Sequence, residues 1–129
     1  MKYYINKTIN AGFDQAIVLV IESLKKEGFG VLTEINIQEK LKEKLNVDFR
    51  KYKILGACNP AYAYKALQQE DKVGTMLPCS VIIQELASNQ IEVAAVDPLA
   101  SMMAIENPDL VEIAREIKEK LERAIASLK

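Results

Sequence analysis

Leu110, Ile113, Ala114, Ile117, Leu121, Ala124, Ile125 and Leu128 recur at intervals of three and four residues, so a helix near the C-terminus carries them as one continuous apolar stripe. Asn107-Pro108 marks its start, with a side chain able to cap free backbone N–H groups and a proline suited to the first helical position. Glu116 with Lys120 and Glu119 with Arg123 line the outer side at i,i+4. Pairs of that kind contribute only about 0.2–0.5 kcal/mol each, whereas burying Ile113, Ile117 or Leu121 contributes ~1.5–3 kcal/mol each. Packing therefore decides the helix, and the rest of the chain must offer an apolar surface for the stripe to cover.

Strand patterns supply that surface. Apolar and polar residues alternate from Tyr3 to Ile9, and again through Val31, Thr33 and Ile35. Tyr52, Ile54, Gly56 and Cys58 share one face of a third strand. Leu77 to Ile83 and Ile91 to Val96 are β-rich runs separated by the polar cluster Ala87-Ser88-Asn89-Gln90, the pattern of a hairpin. Between them, Phe13, Ile17, Val20, Ile21 and Leu24 repeat at helical spacing up to Gly28, while Val18 and Leu19 widen that helix's apolar surface beyond one stripe. Ile37, Leu41 and Leu45 predict a short surface helix, and Asn59-Pro60 opens another through Tyr64 and Leu67. The expected fold is α+β in the order β-α-β-(short α)-β-α-β-β-α: an antiparallel sheet of about five strands with helices on one face, in a single domain over residues 1–129.

Composition limits the chemistry. The 129 residues hold 17 Lys+Arg, 18 Asp+Glu and no histidine, so a Ser-His-Asp triad or a histidine-bearing zinc site cannot be built within one chain. No secretory signal pattern opens the chain and no apolar run exceeds the six residues Ala16 to Ile21, so the expectation is a cytoplasmic protein with no membrane partner. Cys58 and Cys79 are then expected as free thiols. A pI near 5.6 gives no general attraction for phosphate. The basic stretch containing Lys40, Lys42, Lys44, Arg50, Lys51 and Lys53 is interrupted by Glu39, Glu43 and Asp48, so no nucleic-acid partner is expected. Gly28-Phe29-Gly30 resembles a nucleotide loop only briefly, since Thr33 stands where the third glycine belongs and a strand follows instead of a helix.

The run Tyr52-Lys53-Ile54-Leu55-Gly56-Ala57-Cys58-Asn59-Pro60, followed by Ala63-Tyr64-Lys65-Ala66-Leu67, resembles the central motif of the domain of unknown function 302 (DUF302) family. Gly28 to Ile35 is similar to its second-strand entry, Leu77-Pro78-Cys79 to its second cysteine motif, and Val96-Asp97-Pro98 with Met102-Met103 to its late motif. Ser80 departs from the asparagine that the family pattern favours, which weakens any role for that side chain. The resemblance implies a TATA-binding-protein-like α+β fold and homodimers, and carries no established activity.

The ligand-binding residues expected from the sequence are Cys58, Asn59, Tyr64, Cys79, Asp97, Met102 and Met103; no catalytic residue, metal site or cofactor is identified. With the hairpin centred on Ser88-Asn89, Cys79 opens one strand where Asp97 closes its neighbour, and Cys58 ends the third strand, so these corners are expected at one end of the sheet. Tyr52, Tyr62 and Tyr64 cluster around the cysteine motif as polar-tipped pocket walls. Asp97, Asn59 and Asn107 are read first as turn and cap residues, and the two methionines first as core filling and second as an adaptable apolar patch. The leading expectation is a non-enzymatic homodimer that binds a small ligand or partner near these residues. The alternative is a thiol-dependent redox or soft-metal protein using Cys58 and Cys79, for which thioether help from a methionine would favour copper(I). Two buried cysteines acting as small hydrophobes are the commoner case.

Overall fold

A computed structural model describes residues 2–129. Five strands, β1 (Tyr4–Asn10), β2 (Gly30–Asn36), β3 (Tyr52–Cys58), β4 (Cys79–Ala87) and β5 (Gln90–Val96), form one antiparallel sheet in the order β1-β5-β4-β3-β2. Helix α1 (Phe13–Lys26) carries the chain from one edge strand to the other, α2 (Ile37–Leu45) follows β2, and α3 (Pro60–Gln69) follows β3. After β5 come a short helix, α4 (Pro98–Met102), and the long α5 (Pro108–Ala126). The expected class and element order are those found. The additions are α4 and a 3-10 segment at Asp71–Met76, both too short to announce themselves by periodicity.

One face of the sheet is the core. Leu55 and Ala57 of β3, Val81 and Ile83 of β4, and Ile91, Val93 and Ala95 of β5 pack against Ala16, Ile17, Val20 and Leu24 of α1 and Ile117, Leu121, Ala124 and Ile125 of α5. The C-terminal stripe is therefore buried as its spacing predicts. Between the two helices the Ser23 hydroxyl donates to the Ala124 carbonyl at 2.6 Å and lies 2.7 Å from the Ser127 hydroxyl, which satisfies a polar group in an apolar seam. A second cluster of Ala66, Val73, Met102, Leu110 and Ala114 ties α3, the 3-10 segment and α4 to α5. Helix α2 buries none of its residues and is the surface helix expected.

Among the described residues, no helix packs on the opposite face. Its side chains follow from the register: Ile35, Ile54, Ile82 and Ala94 lie in one row across β2, β3, β4 and β5, with Tyr52, Gln84 and Glu92 in the next row. Antiparallel sheets with one wet face usually alternate apolar inward and polar outward. Here the runs Val81-Ile82-Ile83 and Val93-Ala94-Ala95-Val96 present apolar groups on both faces.

Candidate functional site

The ends of β3 and β4 meet because Ala57 pairs with Cys79 in the register, placing Cys58 beside that pair. Cys58, Asn59, Pro78 and Cys79 line one cavity with Phe29 and Ile117, but its volume is only about 20 Å³. That is room for about one water, against ~300–1,000 Å³ for ordinary ligand pockets. Cys79 is buried and Cys58 half-buried, and neither is in a disulfide. Burial first, and the neighbouring Cys58 second, push the Cys79 thiol up to about 11.

The raised Cys79 value has two measurable consequences. Iodoacetamide at mildly alkaline pH is expected to alkylate Cys58 in the native protein and Cys79 only on unfolding, because Cys79 is both inaccessible and protonated. The fold also favours the neutral thiol, so this stabilisation is complete below pH 9 and is lost as pH rises toward about 11. A two-unit rise corresponds to about 2–3 kcal/mol. The stability gap between wild type and Cys79→Ala should therefore shrink across that window, the comparison cancelling ordinary lysine and tyrosine titration.

Asn59 stands at the N-cap position of α3 and its carbonyl accepts from the Ala63 amide at 2.9 Å, but its side chain makes no cap. Instead Asn59 Nδ2 donates to the Glu27 carbonyl at 3.2 Å, pinning the turn after α1, where Gly28 takes φ 89°, to the end of β3. The capping role expected of its side chain is thus corrected by a long-range partner that a local rule cannot see. Asn107 does cap α5, accepting from the Asp109 amide at 3.1 Å.

Asp97 lies at the same sheet end but outside the cysteine cavity. Its Oδ1 accepts from the Leu99 amide at 3.0 Å, capping α4, and its Oδ2 is 3.0 Å from Lys118 Nζ. The two methionines part company: Met102 is buried in the second cluster, and Met103 is 63% exposed. Both line a hollow between α4 and α5 that does not include the cysteines. Tyr64 is exposed, and Tyr62 rests half-buried against the main core, its ring 5.2 Å from Lys65 Nζ and 5.7 Å from Lys120 Nζ. The structure therefore joins Cys58, Asn59 and Cys79 and separates Tyr64, Asp97, Met102 and Met103 from them. Among the described residues, no group of three or more His, Cys, Asp or Glu could hold a metal ion.

A roomier concavity than the cysteine cavity lies on the uncovered sheet face, a groove of about 440 Å³. Tyr3, Tyr4 and Tyr52 wall it, and Ile82, Ala94 and Glu92 lie between them. Sequence reasoning missed it, although apolar residues at both parities of β4 and β5 were the available signal.

The fold finds its counterpart among known proteins. The family described as domain of unknown function DUF302 matches residues 5–128. The chain belongs to the DUF302 family. It is also similar to a solved structure, the crystal structure of an uncharacterized conserved DUF302 protein from Bacillus stearothermophilus, with 30% identity, a TM-score of 0.92 and the whole of each chain covered. No curated protein matches this DUF302 chain. Among its described residues no helix is long and apolar enough to cross a membrane.

Proposed function

We propose that this DUF302 protein is a non-catalytic binding module that works as a homodimer, with a second copy seated on the uncovered sheet face. The observation that carries this is the apolar row Ile35, Ile54, Ile82 and Ala94 at positions where a solvated sheet would carry polar groups. Area supports it. Five strands at ~4.8 Å spacing and ~23 Å length give ~550 Å² per copy, so two copies cover about 1,100 Å², enough for a specific interface near the 1,000 Å² threshold. Ile54 sits in the middle of that row. Light scattering at high micromolar concentration should report a dimer for wild type and a monomer for Ile54→Glu. The circular dichroism of the variant should be unchanged, because the new carboxylate faces water in a single copy. A monomeric wild type would defeat the proposal.

A second reading, a thiol-dependent redox or soft-metal protein, is favoured by one observation: Cys58 and Cys79 line the same cavity. The raised Cys79 pKa speaks against it, since the reactive species is the thiolate. Rapid alkylation of Cys79 in the native protein at neutral pH would restore it.

A further inference from the structure

We propose that the groove on the uncovered sheet face binds a small organic cation with an aromatic or apolar body, its charge held beside the Glu92 carboxylate and against the Tyr4 and Tyr52 rings. The inference rests on that face being the working surface of the protein. Among the described residues lining the groove, Glu92 is the one that is charged. Its two oxygens are held from either side by neutral donors, Oε2 by Asn6 Nδ2 at 2.9 Å and Oε1 by Gln84 Nε2 at 2.7 Å. Among the described residues Glu92 has no ion-pair partner, so its charge is fixed in place and left uncompensated.

The chain's own cations approach the same rings from the rim. Lys2 Nζ is 5.1 Å from the Tyr4 ring centroid and the Arg50 guanidinium 5.8 Å from that of Tyr52. Arg50 is engaged with Gln84 Oε1 at 2.8 Å and Lys2 with Asn6 Oδ1 at 3.2 Å, each one step short of the carboxylate. These contacts orient the two amides, whose N–H groups then point at Glu92. An anionic ligand would meet the carboxylate unfavourably, and a neutral one would gain at most a hydrogen bond from it. A cation gains both the carboxylate and the ring faces, and a second copy laid over the groove would strengthen both by excluding water. Its volume suits a ligand of modest size.

Phenethylammonium and its neutral analogue 2-phenylethanol are the probes, titrated into the full chain by calorimetry or NMR. The ammonium should bind about tenfold more tightly. Glu92→Gln should abolish that preference while binding of the neutral analogue persists. Equal affinity for the two probes, no binding of either, or an unchanged preference in Glu92→Gln would overturn the proposal. A dimer that fails to discriminate removes the cation site and leaves the homodimer standing. A wild-type monomer that does discriminate removes the homodimer and leaves the cation site. If Ile54→Glu is monomeric and discriminates as wild type does, a single copy suffices for the cation.

Discussion

Ile117→Asp is expected to abolish cooperative folding. Ile117 is 3% exposed, sits in the main core where α5 crosses the sheet, and forms part of the wall of the cysteine cavity. The substitution removes a buried aliphatic side chain, about 2–3 kcal/mol, and puts a carboxyl in its place with no cation opposite. A cavity of about 20 Å³ admits too little water to solvate it. The combined penalty is at least about 4–5 kcal/mol, a large share of the ~5–15 kcal/mol by which a domain of this kind is stable. Thermal unfolding should show the midpoint lowered by roughly 15 °C or more, or no cooperative transition at all. Ile117→Val, which removes one methylene, should cost only about 1 kcal/mol. If Ile117→Asp melted with the wild type, the C-terminal stripe would not be the core. Ile117→Ala tests the same wall more gently, since opening the cavity should speed alkylation of Cys79 in the native state.

That stripe was legible because a long helix repeats its period many times, and so were the hairpin, whose turn residue Asn89 adopts φ 58°, and the helix stop at Gly28. Short elements were not. The helix Pro98–Met102 offers barely one turn of period, so nothing told Met102, which it buries, from Met103, which it exposes. The sequence also placed Cys58, Cys79 and Asp97 at one end of the sheet, but an end of a five-stranded sheet is wide. Register brought the first two together and left Asp97 with Lys118 of α5, a partner separated by 21 positions in sequence. Asn59 shows the same limit from the other side. Its cap position is a local property and legible in the sequence, whereas its side chain obeys a carbonyl 32 residues away. The groove was not legible for a different reason: apolar residues at both parities of a strand give it two apolar faces without saying what lies against either.

The end of β3 is also where backbone and side chain are most tightly fitted, and Gly56→Val is expected to destabilise the protein by about 3 kcal/mol or more. Gly56 pairs with Thr33 on one side and Ser80 on the other. A β-carbon there would fall within van der Waals contact of Thr33 Oγ1 and 2.8 Å from Pro78 Cγ. Two effects compete. Valine has a higher strand propensity than glycine, a gain of at most ~1 kcal/mol. Against it stand two contacts, and only one can yield cheaply: the Thr33 hydroxyl rotates about χ1, but the Pro78 ring is fused to a backbone that leads directly into β4. Overpacking therefore wins. A graded series separates the contributions. Gly56→Ala should cost less than Gly56→Val, and adding Thr33→Ala to Gly56→Ala should recover part of the loss but not all, because the proline contact remains. Full recovery in the double variant would assign the constraint to Thr33 alone, and a neutral Gly56→Val would show that the β3–β4 junction relaxes freely, in which case the small volume of the cysteine cavity is not enforced by this corner.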